Sequence, residues 1–88
     1  MSAWNYPYVT GLPYVAACIS AGNCVVFKPT ERAPHCSNIQ VKLFEEFLDH
    51  KFYRCLEGGV KTSQTLTQSP LVDVIVFTGG SLIGKYVA

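Results

Sequence analysis

The 88-residue sequence carries little charge. Asp, Glu, Lys and Arg make up 15% of it, against about 25% in an average globular domain. It has neither a basic run nor an acidic tail, and its formal net charge is +1. That excludes the electrostatic footprint of a nucleic-acid-binding surface or a polybasic membrane contact. No apolar run is continuous enough to span a bilayer, because the stretch from Leu12 to Phe27 is interrupted by Pro13, Gly22 and Asn23. No basic amino-terminal region leads into a cleavage site, so no signal peptide is evident and a cytoplasmic protein is expected. No two of Cys18, Cys24, Cys36 and Cys55 have C-x-x-C spacing, and His35 and His50 do not combine with them into a zinc pattern. The expectation is therefore four reduced thiols, most of them in apolar surroundings, with no metal site. Repeats, low-complexity segments and linkers are missing as well.

What is present is apolar. Hydrophobic residues make up 49% of the chain, and the mean hydropathy is +0.22. A chain of this size buries only about 60 to 65% of the surface it would expose unfolded. So much apolar side chain suits a single partial domain, residues 1–88, whose remaining surface is covered by neighbours.

The order of elements follows from periodicity. From Tyr8 to Ala21, Leu12, Val15, Ala16 and Ile19 recur at helical spacing, with Pro13 acceptable only in the first turn. Gly22-Asn23 stops that helix, since either residue tolerates a left-handed conformation. Cys24 to Phe27 is a β-favouring run, apolar on both faces as buried parallel strands are. Ser37-Asn38-Ile39-Gln40 reads as a capping box opening a second helix. Ile39, Leu43, Phe44 and Phe47 form its inner stripe, and Lys42, Glu45, Glu46 and Asp49 its outer face. A second strand is expected from Phe52 to Leu56, a short polar helix from Lys61 to Gln68, and a third strand from Val72 to Phe77. A last helix follows Thr78-Gly79-Gly80-Ser81. This alternation predicts an α/β fold: a partial Rossmann-like parallel sheet of about three strands with flanking helices.

In such sheets ligands bind outside the carboxyl ends of the strands. The three predicted ends are Lys28-Pro29-Thr30-Glu31, Glu57-Gly58-Gly59 and Thr78-Gly79-Gly80-Ser81. Lys28 and Glu31 put an ammonium and a carboxylate three residues apart, and Gly79-Gly80 open a helix whose free N–H groups suit a phosphate.

Five short segments, in this order and spacing, extend the reading: Trp4-Asn5-Tyr6-Pro7, Ala21-Gly22-Asn23-Cys24-Val25-Val26, Lys28-Pro29-Thr30-Glu31, Gly58-Gly59-Val60, and Phe77-Thr78-Gly79 with Gly84-Lys85. Together they resemble the middle of an aldehyde dehydrogenase of the class 3 or fatty-aldehyde type. That family oxidises aldehydes to acids with NAD or NADP through a thiohemiacetal on a cysteine. The resemblance implies that Asn5 supplies an amide donor to the oxyanion, where charge develops as the thiolate adds. It implies that Trp4 lies near the cofactor pyrophosphate, that Lys28 and Glu31 contact the adenosine ribose, and that Gly79 and Gly80 meet phosphate. Without it, Asn5 would be read as holding a turn, Trp4 as packing, and Lys28–Glu31 as a solvated pair of little consequence. Relatives often carry Ser or Asn where Gly80 stands, and Ser81 occupies the middle-glycine position of a G-x-G-x-x-G loop. Phosphate contact there would come from backbone.

The family's nucleophilic cysteine and general-base glutamate are expected beyond Ala88. Leu56-Glu57-Gly58-Gly59 precedes Phe77-Thr78-Gly79 and is a decoy for the glutamate motif, so the chain alone is expected to be inactive on aldehyde. Two other readings compete. Gly79-Gly80-Ser81-Leu82-Ile83-Gly84-Lys85 fits G-x-x-x-x-G-K, but Tyr86 stands where a P-loop needs Ser or Thr. Alternatively the chain is a non-catalytic remnant or partner of a full-length dehydrogenase, associating through exposed edges at Cys24–Phe27 and Val74–Phe77.

Overall fold

A computed structural model describes all of residues 1–88. Four helices and a two-stranded parallel sheet make up the fold, in the order α1 Leu12–Ser20, β1 Val25–Phe27, α2 Pro34–Phe47, β2 Tyr53–Cys55, α3 Val60–Thr67 and α4 Ser81–Val87, with α1 packed on β1 and α2 on β2. The α/β class stands, and the sheet is smaller than expected.

Pro13 sits in the first turn of α1, where its missing N–H costs no intrahelical bond. The helix stops at Gly22, whose φ of 82° is the left-handed conformation a side chain resists. The chain then enters β1, paired in register with β2 as Val25↔Tyr53, Val26↔Arg54 and Phe27↔Cys55. The Val25 N–H donates to the Phe52 carbonyl at 3.0 Å, and the Leu56 N–H to the Phe27 carbonyl at 2.8 Å. The βαβ connection through α2 makes this the minimal parallel unit.

Val15, Phe27 and Phe44 form the buried apolar cluster, and Leu12, Ile19, Val25, Leu48, Tyr53 and Cys55 pack around them. The Phe27 and Phe44 rings stack with centroids 5.9 Å apart, a geometry worth about 1 kcal/mol beyond area burial. In total 9 of 88 residues are buried. With so few, the apolar excess of the sequence stays largely at the surface, Leu71 and Val74 being 88% and 79% exposed.

Several expectations are corrected. Val72–Phe77 forms no strand: no backbone N–H from Asp73 to Phe77 donates to another backbone group. A strand exists only by pairing, and the chain offers this segment a single partner residue, Met1. β1 is not buried on both faces, since Cys24 and Val26 are exposed. The Ser37–Gln40 capping box is absent because α2 begins earlier, at Pro34, behind an Ala33 that offers no side-chain cap. Ser37 Oγ instead donates to the Thr30 carbonyl, and Gln40 Nε2 to the Cys36 carbonyl. The inner face of α2 is accordingly Ser37, Gln40 and Phe44, while Ile39, Leu43 and Phe47 are exposed. Ser37 thus fastens α2 to the Lys28–Thr30 loop, while Gln40 bonds only within its own helix.

All four cysteines are free. No helix is long and apolar enough to cross a membrane.

Candidate functional site

β1 ends at Phe27 and delivers Lys28-Pro29-Thr30 directly into buried positions. Lys28 is 4% exposed, so its ammonium requires partners. It finds two, the Glu31 Oε2 at 3.0 Å and the Pro29 carbonyl at 3.1 Å, leaving one of its three donors unused. Glu31 itself is half-exposed. Its carboxyl is held below the usual carboxylate range chiefly by its own backbone N–H; burial opposes this, and Lys28 and Arg32 each add a lesser lowering effect. The pair thus presents an ionised acceptor and an adjacent donor at the tip of β1.

The second component is the segment Trp4–Tyr6. Its turn is tied by Thr10, whose Oγ1 accepts from the Ala3 N–H at 2.9 Å and donates to the Tyr6 carbonyl at 2.8 Å. The Asn5 amide makes no hydrogen bond within the chain and is exposed, so holding the turn is not its work. Thr10 was missed in the sequence; the only available signal was a hydroxyl four residues after Tyr6.

The third component is Thr78-Gly79-Gly80. The first intrahelical bond of α4 runs from the Gly84 N–H to the Gly80 carbonyl at 2.9 Å. A Cβ on Gly79 would run into the Phe77 ring, whereas one on Gly80 would meet nothing within 4 Å. Gly79 is therefore required by packing, and Gly80 leaves open space beside its backbone.

These components converge. Trp4, Asn5, Lys28, Glu31, Gly79 and Gly80 all line one groove of about 910 Å³, together with Met1, Ser2, Thr30 and Arg32 and the α3 residues Val60, Ser63, Gln64 and Thr67. The α3 contribution was not read from the sequence, where that helix looked merely polar. Gly58 and Gly59 do not line the groove; they lead into Val60, which does. Ser2 Oγ is buried there without a hydrogen-bond partner. Lys85, by contrast, lies in the last turn of α4 and does not line the groove. The helix begins at Ser81, inside the would-be P-loop, so Gly84-Lys85 cannot form a phosphate-wrapping loop.

Comparison with known proteins gives this groove its context. A sequence profile described as "Aldehyde dehydrogenase family" matches residues 1–88. The chain belongs to the aldehyde dehydrogenase family. It is 41% identical over 87 residues to aldehyde dehydrogenase family 3 member I1, chloroplastic, of Arabidopsis thaliana, covering 99% of this chain and 16% of that protein. It is 36% identical over 88 residues to the beta-apo-4'-carotenal oxygenase of Gibberella fujikuroi, covering 100% of this chain and 16% of that protein. Against aldehyde dehydrogenase family 3 member A2 of Macaca fascicularis it is 36% identical over 87 residues, covering 99% of this chain and 18% of that protein. The chain thus spans about a sixth of the length of these relatives. The similarity to family 3 members agrees with the resemblance carried by the five short segments.

Proposed function

We propose that this chain is the cofactor-binding segment of an NAD(P)-dependent aldehyde dehydrogenase, and that the groove holding Lys28, Glu31, Gly79 and Gly80 takes the dinucleotide. Members of the aldehyde dehydrogenase family use NAD(P). The observation that carries the assignment is the gathering of a paired carboxylate and ammonium, a side-chain-free Gly80 and an unengaged Asn5 amide into one groove.

The donor set fits the group. Glu31 accepts from the two ribose hydroxyls, and Lys28 orients Glu31 while offering its remaining donor to the same sugar. Backbone at Gly79–Gly80 approaches the pyrophosphate because no Cβ stands in the way. Trp4, 60% exposed, covers one edge. Asn5 is the group that meets the aldehyde oxygen, donating where negative charge accumulates. The bound dinucleotide supplies a hydride acceptor. Thiolate attack and water activation are not assigned to Cys18, Cys24, Cys36, Cys55 or Glu57, none of which lines the groove. The oxidation of an aldehyde to an acid is the reaction of the intact enzyme.

Trp4 is the sole tryptophan, so its fluorescence reports directly on the groove. Titration with NAD+ and NADP+ gives saturable quenching, and Lys28→Met weakens it. Unsaturable quenching, or quenching indifferent to Lys28, overturns the assignment.

A further inference from the structure

The charged side chains lining the groove are Lys28, Glu31 and Arg32. The ribose contacts engage the first two and leave Arg32 without a task. Lys28 is buried and committed, its ammonium bonded to Glu31 Oε2 at 3.0 Å and to the Pro29 carbonyl at 3.1 Å. Arg32 is exposed on the groove wall, and its side chain enters no hydrogen bond or ion pair within the chain. Its charge is felt at Glu31, where it adds a lesser lowering of the carboxyl, yet the two groups do not pair. All five guanidinium donors are therefore open to a ligand.

The backbone beneath this free side chain is fixed. The Arg32 N–H donates to Thr30 Oγ1 at 3.2 Å, and Thr30 is 6% exposed. The Thr30 carbonyl in turn accepts from Ser37 Oγ of α2. The turn thus holds Glu31 and Arg32 next to each other at the tip of β1, both on the groove.

NAD and NADP differ only at the ribose 2′ oxygen, which bears a hydroxyl in one and a phosphate in the other. Glu31 accepts from the hydroxyl and repels the phosphate. Lys28 is held by Glu31 and Pro29, so the free cation beside that phosphate is Arg32. We propose that Arg32 is a specificity-determining residue whose guanidinium binds the 2′-phosphate of NADP through two of its donors, admitting NADP to a groove that Glu31 biases toward NAD. The inference rests on the cofactor reading of this groove and adds to it the group that recognises the second cofactor. The phosphate carries about −1.5 to −2 charge, and the planar fork of an arginine matches its oxygens. Two cations against one carboxylate leave the groove net positive, as that ligand requires. With NAD bound, Arg32 faces solvent and adds nothing.

The test is the Trp4 fluorescence titration of the 88-residue chain with NAD+ and NADP+, on wild type, Arg32→Gln and Arg32→Lys. Because the Arg32 side chain is exposed and unbonded, both variants fold, and their NAD+ titrations verify it. Wild type takes both cofactors saturably, NAD+ the more tightly. Arg32→Gln weakens NADP+ about fivefold and leaves NAD+ unchanged. Arg32→Lys keeps the charge without the fork and falls in between. Added salt weakens NADP+ more than NAD+ in wild type, and the difference shrinks in Arg32→Gln. Equal losses for the two cofactors would put the guanidinium on the part of the dinucleotide they share and overturn the proposal. An NADP+ affinity indifferent to Arg32→Gln overturns it as well, and saturable NAD+ binding in the same experiment leaves the cofactor assignment standing. If neither cofactor saturates the wild type, assignment and proposal fall together.

Discussion

Glu31→Gln tests the chemistry of the proposed cofactor groove most sharply, because it changes charge and leaves shape alone. Glu31 is half-exposed with its carboxylate 3.0 Å from Lys28 Nζ, so the high-dielectric value of Coulomb's law applies. Two unit charges 4 Å apart then interact by about 1 kcal/mol. The 2′-phosphate of NADP carries about −1.5 to −2 charge, so facing Glu31 it is repelled by about 1 kcal/mol or somewhat more once salt screens the pair. In the Gln variant that repulsion disappears, and Lys28 is released to face the phosphate. NAD, meanwhile, exchanges a charge-assisted ribose hydrogen bond for a neutral one, a loss of about 1 kcal/mol. The two effects have opposite sign for the two cofactors, so the ratio of their dissociation constants shifts toward NADP by about 2 kcal/mol, or roughly thirtyfold. Paired Trp4-quenching titrations measure it. The carboxyl is held below its ordinary range, so the wild-type preference persists as pH falls through about 5 and fades only below the normal carboxylate pKa of about 4.3. A ratio unchanged by Glu31→Gln, or wild-type affinities equal for the two cofactors, would refute the role given to Glu31.

Four further outcomes follow from the fold. Gly22→Ala forces a side chain into φ 82° and lowers stability by about 1 to 2 kcal/mol in urea titration; no change would mean that the α1–β1 turn relaxes freely. Gln40 is fully buried with its Oε1 unpaired, so Gln40→Met leaves stability unchanged or raises it by about 1 kcal/mol; a clear loss would show that the carboxamide is satisfied. Burial, aided by the nearby charges of Glu57 and Glu45, pushes the Cys55 thiol from 9.0 up to about 12. The folded chain therefore holds a proton that the unfolded chain releases, and stability falls as pH rises from 9.0 toward about 12. Thermal melts of wild type and Cys55→Ser across that range separate this contribution. At pH 8 the exposed Cys24 should alkylate faster than Cys55.

Much of the fold was legible because its signals are local. Gly22 announced a left-handed stop, Pro13 a first turn, and the Cys24–Phe27 and Phe52–Leu56 runs two parallel strands joined by a helix, observed as Val25–Phe27 and Tyr53–Cys55. The candidate positions Trp4, Asn5, Lys28, Glu31, Gly79 and Gly80 do share one groove, while Gly58 and Gly59 stay outside it. Lys28-Pro29-Thr30-Glu31 follows β1 and Thr78-Gly79-Gly80 follows the unpaired Val72–Phe77 segment, and both reach the groove. What failed depended on partners at a distance. Val72–Phe77 has every intrinsic preference for a strand, yet pairing requires a neighbour, and here the neighbour amounts to Met1. The Ser37–Gln40 box was a sound local pattern that lost to tertiary bonding, since Ser37 is bound to Thr30 across the loop. The apolar stripe of Ile39, Leu43 and Phe47 found nothing to pack against. Thr10, Ser2 and the polar face of α3 went unnoticed because a single hydroxyl has no periodicity.

The decisive measurement is an amide-resolved titration of the isotopically labelled chain with NAD+ in a two-dimensional NMR experiment. The account predicts that the Trp4 indole, Lys28, Thr30, Glu31, Gly79 and Gly80 shift together along one binding curve, while Val25, Val26 and Val74 stay still. Shifts confined to Val25, Val26 and Val74, or no shifts at millimolar NAD+, would contradict it.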